Sequence, residues 1–189
     1  MEITFEIKNS TGIITLNRPK ALNALNLNMA IQFSDKLREW ENDNNIERVL
    51  LLGEGNHFCA GGDVKSVHLS GPFSKLKQEF FSKEYSLNLQ IKNFPKPYLS
   101  IWKGVVMGGG VGLSIYGDYR IATDSTKFAM PETSIGFFPD VGGSFFLAKL
   151  ENNLGKYLGL TGEIVQGKDL INFNLATHYC PENKINNLI

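Results

Sequence analysis

Short, continuously apolar runs alternate along this chain with longer segments in which apolar residues recur at helical spacing. RVLLLGEG at 48–55 and PYLSIWKG at 97–104 are runs of the first kind, and each ends in glycine. Runs of this length and character are typical of strands buried within a sheet. Segments 28–40 and 73–94 carry apolar residues at the spacing of amphipathic helices. Strands that alternate with helices predict the α/β class.

The remaining segments extend this pattern over one predicted domain, residues 1–189. The further predicted elements are a β-hairpin that turns at 9–12, a strand at 118–123, helices at about 143–150 and 154–159, and a last helix with a short strand within 167–180. The sequence contains no repeat, linker or low-complexity segment.

Charge and composition exclude several functional classes. Nineteen basic and nineteen acidic residues cancel, so nothing indicates nucleic-acid binding. No apolar run reaches the roughly 18 residues of a membrane-spanning helix, so no membrane association is expected. The first residues, MEITFEIKNSTG, resemble neither a signal peptide nor a transit peptide, which predicts a cytoplasmic location, or a matrix location only if a presequence is missing. Cys59 and Cys180 are expected to be free thiols.

Two glycine-bearing turns, 60–63 and 108–110, each follow an apolar run. In a parallel sheet such loops gather at one edge, where ligands bind. Two unpaired backbone N–H groups, one from each turn, would make an oxyanion hole, and the alternative is tight packing of turn against helix. Segment 108–117 does not match G-x-G-x-x-G, and G-x-x-x-x-G-K-[ST] is absent, so nucleotide binding of these kinds is not expected.

The run FAMPETSIGFFPDVGG, residues 128–143, places Glu132 and Asp140 eight residues apart among apolar side chains. Desolvation raises the pKa of a carboxyl group, and two close carboxylates raise each other's pKa further. Such a pair suits general acid–base or covalent catalysis. The alternatives are an N-cap role for Asp140, ahead of the helix predicted at 143–150, and a solvated turn for Glu132.

Other candidate residues give weaker signals. Glu84 lies in the helix predicted at 73–94, three residues before Leu87, and on its pattern alone it is a surface acid that borders the apolar face. His57, His68 and His178 are isolated, and no G-x-S-x-G is present. Neither a metal site nor a Ser–His–Asp triad is therefore expected.

Four motifs stand out together: LNRPKALNALN (16–26), FCAGGDV (58–64), MGGGVGLS (107–114) and FAMPETSIGFFPDVGG. In this combination the chain resembles the crotonase (enoyl-CoA hydratase/isomerase) superfamily over nearly all its length. The last three motifs, with KEYSLN (83–88) and YLGLTGEIVQGKDL (157–170), are especially similar to its 3-hydroxyisobutyryl-CoA hydrolase branch.

The resemblance implies a fold, a substrate and a set of site residues. The fold would be a spiral of ββα units, and the substrate an acyl-CoA thioester, so that coenzyme A belongs to the substrate and no cofactor is needed. The backbone N–H groups of Gly62 and Gly109 would hold the thioester oxygen. Glu132 and Asp140 would be the catalytic acids, and Glu84 would contact the substrate hydroxyl, contrary to its reading as a surface acid. Segments 18–22 and 60–63 would line the coenzyme A path.

The branch matters for the reaction. Hydratases of this superfamily carry a glutamate where this chain has Gly112, and tend to have glycine in place of Asp140. The resemblance therefore implies thioester hydrolysis in valine degradation, with an enoyl-CoA hydratase or isomerase as the alternative. Members of the branch continue through further helices, so the C-terminal helical part is expected to be truncated here. A second alternative is an inactive remnant that needs a separately encoded C-terminal chain, and a homo-oligomer is also an expected partner state.

Overall fold

The computed structural model describes residues 1–188. The strands are β1 (Ile3–Lys8), β2 (Thr11–Leu16), β3 (Arg48–Gly53), β4 (Tyr98–Trp102), β5 (Val105–Met107), β6 (Tyr119–Ala122), β7 (Lys127–Ala129), β8 (Val165–Gln166) and β9 (His178–Tyr179). The α-helices are α1 (Leu27–Glu41), α2 (Val64–Leu69), α3 (Leu76–Lys92), α4 (Gly109–Gly112), α5 (Gly143–Leu147), α6 (Leu154–Thr161) and α7 (Asp169–Asn172). Short 3-10 helices occupy Pro19–Ala21, Glu132–Ile135 and Glu182–Asn187.

The larger sheet has six strands in the order β1-β2-β3-β4-β6-β9. Only β1 and β2 are antiparallel, as a hairpin, and the other neighbours are parallel. Parallel neighbours need a crossover, and α1 and α3 fall within the connections from β2 to β3 and from β3 to β4. Both strands predicted from short apolar runs, β3 and β4, therefore lie in the middle of this sheet.

The smaller sheet has three strands, in the order β5-β7-β8. Strands β5 and β7 are parallel, and Cys59 adds a parallel bridge to Val106 of β5. Three chain segments therefore run side by side in one direction. The residues that follow them, near 61, 108 and 131, emerge at the same edge.

Helices α1 and α3 pack against each other and help to cover the larger sheet. The Asn26 side chain caps α1 by accepting a hydrogen bond from the N–H of Met29 at 2.9 Å. The Ser34 hydroxyl donates to the Gln90 side chain at 2.7 Å, and the Gln90 amide returns a bond to the Ser34 carbonyl at 3.0 Å. This reciprocal pair fixes how α3 lies across α1, and α3 carries part of the site described below.

The predicted α/β class is confirmed, and the main differences lie in short elements. The helix predicted at 73–94 runs over Leu76–Lys92, and the helix predicted at 143–150 ends at Leu147. The helix expected after the triple glycine is a single turn, α4. Strands β5 and β7 were not predicted, because each has three residues and shows no periodicity of its own.

Candidate active site

A cavity of about 390 Å³ lies where the edge of the smaller sheet faces α3. Its wall contains all five residues that the sequence singled out as site residues, namely Gly62, Glu84, Gly109, Glu132 and Asp140. They come from four separate segments of the chain. The parallel run of Cys59, β5 and β7 accounts for three of these segments, and α3 supplies Glu84. The turn after the 3-10 helix at Glu132–Ile135 supplies the third acid, Asp140.

The two glycine turns meet at the floor of this cavity. A Cβ atom at Gly109 would lie 2.9 Å from the backbone N of Gly62 and 2.2 Å from Oε1 of Glu84. Gly61 and Gly108 have φ angles of 117° and 50°, which favour glycine. Among the described residues, the N–H groups of Gly62 and Gly109 donate to no other backbone group. Two unpaired donors side by side have the arrangement of an oxyanion hole.

Tight packing, the alternative explanation of these glycines, holds at the next position. A Cβ atom at Gly110 would lie 2.3 Å from the backbone oxygen of Cys59, which cannot move away. Cys59 itself is fully buried, and burial raises the pKa of its thiol to about 12, so it is not a nucleophile. The triple glycine therefore serves packing at Gly110, while Gly109 leaves a free N–H.

Glu132 begins a 3-10 helix and is 8% exposed, so the solvated-turn alternative is wrong. Its Oε2 atom has no hydrogen-bond partner among the described residues. Burial, followed by the charge of Asp140, raises the pKa of Glu132 to about 7. A carboxyl group with this pKa can both accept and release a proton near neutral pH.

Glu84 is 2% exposed, so its interpretation as a surface acid is wrong. It faces the cavity from α3, and its Oε1 atom has no hydrogen-bond partner within residues 1–188. Burial raises the pKa of Glu84 to about 8, and the charges of Asp140 and Glu132 add to the effect. Glu84 is therefore mostly protonated at neutral pH and can donate a hydrogen bond.

Asp140 differs from the other two acids because a side chain donates to it. The hydroxyl group of Tyr85 donates a hydrogen bond to Oδ2 of Asp140 at 2.7 Å. Burial raises the pKa of Asp140, and the Tyr85 hydrogen bond opposes that rise. Helix α5 has Gly142 as its N-cap, so the N-cap interpretation of Asp140 is wrong.

The segments predicted to line a coenzyme A path, 18–22 and 60–63, are bonded to each other, but none of residues 18–22 lies in the cavity wall. Ala60, Gly61 and Gly62 line the cavity. Arg18 is joined to the end of the same turn by an ion pair of 2.9 Å between its Nη2 and Oδ2 of Asp63. Arg18 therefore stabilises this wall of the cavity through Asp63.

Two residues near the acids were not identified from the sequence. Tyr85 lies next to Glu84, and Asn88 follows Glu84 by four residues, on the same face of α3. Asn88 is 4% exposed, and neither Nδ2 nor Oδ1 has a hydrogen-bond partner among the described residues. The i, i+4 spacing from Glu84 could have indicated Asn88, but only once Glu84 was known to face inwards.

Comparison with known proteins decides the family. The model of the family described as enoyl-CoA hydratase/isomerase matches residues 11–189. The chain belongs to this family. It is 47% identical to the mitochondrial 3-hydroxyisobutyryl-CoA hydrolase of Danio rerio over 99% of this chain and 50% of that protein. Identity to the Xenopus laevis protein of the same name is 49%, over 94% of this chain and 46% of that protein.

A solved structure of the same family agrees with the fold. The crystal structure of a carnitinyl-CoA dehydratase from Mycobacterium thermoresistibile matches with a TM-score of 0.95 and 43% identity, over 98% of this chain and 55% of that chain. The predicted resemblance to the crotonase superfamily and its hydrolase branch is thereby confirmed. The chain spans about half the length of the curated relatives it matches.

Position 112, where this chain has glycine, has no room for a side chain. A Cβ atom at Gly112 would lie 2.6 Å from Cβ of Val141 and 3.0 Å from Nδ2 of Asn88. The space in which the resemblance places the second glutamate of hydratases is therefore filled by Val141. The turn that brings Asp140 to the cavity is the same turn that closes this space.

No helix within residues 1–188 has the length and apolar character to cross a bilayer.

Proposed function

We propose that this site hydrolyses the thioester bond of an acyl-CoA, and that the substrate is 3-hydroxyisobutyryl-CoA. The observation that carries the proposal is the meeting, in one cavity, of two unpaired backbone N–H groups and three carboxyl groups withdrawn from water. The names of the relatives from Danio rerio and Xenopus laevis support this substrate. No cofactor is needed in this scheme, because coenzyme A is part of the substrate.

The proposed reaction begins with the thioester oxygen bound by the N–H groups of Gly62 and Gly109. An oxygen atom then bonds to the carbonyl carbon, and negative charge develops on the carbonyl oxygen. The carbonyl group re-forms as the C–S bond breaks, and coenzyme A leaves as a thiolate that takes up the proton given by the water. Where the attacking oxygen is that of Glu132, water then hydrolyses the resulting anhydride, which releases the acid and restores the carboxylate. Each well-placed donor is worth about 2.7–4 kcal/mol to such a transition state.

The three carboxyl groups divide the remaining work according to their surroundings. Glu132, with its pKa of about 7, attacks the carbon as a nucleophile or takes the proton of the attacking water. Asp140, whose charged form is stabilised by Tyr85, positions that water. Glu84, protonated at neutral pH, donates a hydrogen bond to the hydroxyl group of the substrate. Pairs of acids with separated pKa values commonly take such different roles.

An enoyl-CoA hydratase is the weaker reading of the same site. Hydration in this family would need a second acid at position 112, and Val141 occupies that space. Asp140 supplies an acid from another direction, beside Glu132. The arrangement therefore favours attack on the thioester carbon over addition to a carbon–carbon double bond.

A second candidate is an acyl-CoA binding chain that turns over only with a partner chain. Apolar side chains are exposed at the rim of the site and on α5 and α6, namely Ile135, Phe137, Phe138, Phe145, Tyr157 and Leu160. Exposed apolar patches commonly mark an interaction surface. A separately encoded C-terminal chain or a second copy of this chain would cover them.

Cellular context remains a prediction. We propose that the protein acts in valine degradation, on the basis of the proposed substrate, and that it does so in the cytoplasm. The relatives from Danio rerio and Xenopus laevis are mitochondrial by name. Localisation of a tagged full-length protein by microscopy would decide between the two compartments.

The proposal is tested by following thiol release from 3-hydroxyisobutyryl-CoA with the purified protein and with Glu132→Gln. We expect release by the wild type and a loss of at least about 1,000-fold in kcat for the variant, because the proton-transferring group is gone. Equal circular dichroism spectra would show that both are folded. A folded wild type that binds the substrate without releasing thiol would favour the second candidate.

A further inference from the structure

Tyr85 contacts one of the three acids of the site but takes no step of its own in the proposed reaction. It lies beside Glu84 on α3, and its side chain is 38% exposed. Its hydroxyl group reaches the turn after the second 3-10 helix and donates to Oδ2 of Asp140 at 2.7 Å. This hydrogen bond joins α3 directly to the acid that lines the cavity.

The turn that carries Asp140 has an unusual backbone. Val141 has a φ angle of 44°, in the left-handed region that β-branched residues rarely adopt, and Gly142 follows with 79°. The hydroxyl group of Tyr116 donates to the backbone oxygen of Val141 at 2.7 Å. Strained backbone of this kind persists only where the surroundings hold it. Tyr116 thus holds the backbone of the turn, and Tyr85 holds the carboxyl group.

Aromatic neighbours keep the Tyr85 ring in position. The ring lies 5.8 Å from that of Phe81, which in turn stacks on Phe137 at 5.9 Å. Phe137 belongs to the cavity wall. The hydroxyl group is therefore presented to Asp140 by a row of packed rings, not by a freely rotating side chain.

The surroundings of Tyr85 and Asp140 keep the Tyr85 hydroxyl group protonated, so that it always acts as the donor. Burial and then the Asp140 carboxylate raise the pKa of the Tyr85 hydroxyl group far above its usual value, so it keeps its proton. The carboxyl groups of Glu84 and Glu132 are coupled to Asp140, whose charge contributes to the raised pKa of both. Tyr116, Lys92, His68 and Lys77 line the two cavities that Asp140 borders.

We propose that Tyr85 is a positioning residue that fixes the Asp140 carboxylate in its charged form and aims it into the cavity. This inference rests on the proposed thioester hydrolysis, in which Asp140 orients the attacking water. Because Asp140 orients the attacking water and does not bind the substrate, loss of its positioning residue should affect kcat more than KM.

The kinetic test compares Tyr85→Phe with two matched tyrosine variants in the full chain. We expect Tyr85→Phe to lower kcat about 10- to 100-fold with little change in KM. Tyr116→Phe removes the hydrogen bond to the backbone of the turn that carries Asp140. The Asp140 carboxyl group keeps its donor, Tyr85, in this variant. Tyr119→Phe removes the hydroxyl group of an exposed tyrosine on β6 and should leave kcat unchanged. An unchanged kcat in Tyr85→Phe would overturn the inference.

A second readout does not depend on activity. With ¹³C-labelled aspartate, the Asp140 carboxyl resonance is identified by its loss in Asp140→Asn and followed as a function of pH. Loss of the Tyr85 donor should move its titration to higher pH, while Tyr119→Phe should not. Identical titrations in wild type and Tyr85→Phe would sink the inference. If the wild type releases no thiol, the proposed function fails, and this titration still decides the role of Tyr85.

Discussion

Glu84, Glu132 and Asp140 carry the same functional group, and their surroundings give them different proton affinities. Burial raises the pKa of Glu84 to about 8 and that of Glu132 to about 7, while Tyr85 counteracts the rise at Asp140. An acid kept protonated inside the protein costs stability as soon as it must ionise. Single substitutions can therefore separate what these residues do for catalysis from what they cost the fold.

Glu84→Gln should change how stability depends on pH. The ordinary pKa of Glu84 is 4.5 and the folded value is about 8. Between these values the folded state holds a proton that the unfolded state has lost, so the free energy of unfolding of the wild type falls as pH rises. The variant lacks this loss and should gain on the order of a few kcal/mol relative to wild type between about pH 5 and pH 8.

Urea unfolding at both pH values measures this difference. Glu163→Gln, at an exposed glutamate, is the matched control and should follow the wild type. Parallel pH dependences for wild type and Glu84→Gln would mean that Glu84 is not buried as an unpaired acid.

Asn88→Leu should leave stability unchanged or raise it. Both polar atoms of the Asn88 amide are buried and unpaired among the described residues, so the apolar replacement of similar shape removes a desolvation cost. Asn23→Leu is the contrasting variant, because the Asn23 amide donates to the carbonyl oxygens of Glu54 and His57. We expect Asn23→Leu to lower the free energy of unfolding by about 3 kcal/mol or more. A comparable loss for Asn88→Leu would contradict the account.

At the scale of elements, α4 and the turn after the second 3-10 helix are packed without spare room. Gly112→Ala would place a methyl group 2.6 Å from Cβ of Val141. We expect this variant to lose about 1–3 kcal/mol of stability. Adding Val141→Gly should restore part of the loss, because it removes the Cβ atom that the methyl group meets and suits the positive φ angle at this position. A double-mutant cycle by thermal unfolding measures the coupling, and simple additivity would show that the two sites do not touch.

The elements that the sequence predicted are those with enough residues to show a period. The hairpin of β1 and β2, helices α1 and α3, and strands β3 and β4 all lie where the pattern placed them. Strands β5 and β7 have three residues each. They form because they pair with each other, and β5 also forms a bridge with Cys59. Their pairing, a long-range property, is what brings the glycine turns and Glu132 to one edge.

The sequence predicted which five residues line the cavity, but not that Glu84 and Glu132 are buried there. Local sequence places Glu132 and Asp140 near apolar neighbours, but Glu84 appears as a surface acid until α3 is packed against the rest. Tyr85 and Asn88 gain their significance only from the position of Asp140 and Val141. Contacts between residues 50 or more positions apart carry no signal in a single sequence.

At the scale of the whole molecule, the cavity has a defined wall, and apolar side chains are exposed at its rim. Ile135 and Phe138 are exposed beside the cavity, and the chain spans about half the length of the curated relatives it matches. We propose that the cavity nevertheless performs thioester hydrolysis.

The most direct measurement incubates the purified protein with 3-hydroxyisobutyryl-CoA and records two signals in one sample. Free thiol reports hydrolysis, and the absorbance of an enoyl thioester reports loss of water, the reverse of hydration. We expect thiol release at a rate that depends on Glu132, and we expect no enoyl thioester to form. Formation of the enoyl thioester without free thiol would contradict it and assign the site to hydratase chemistry.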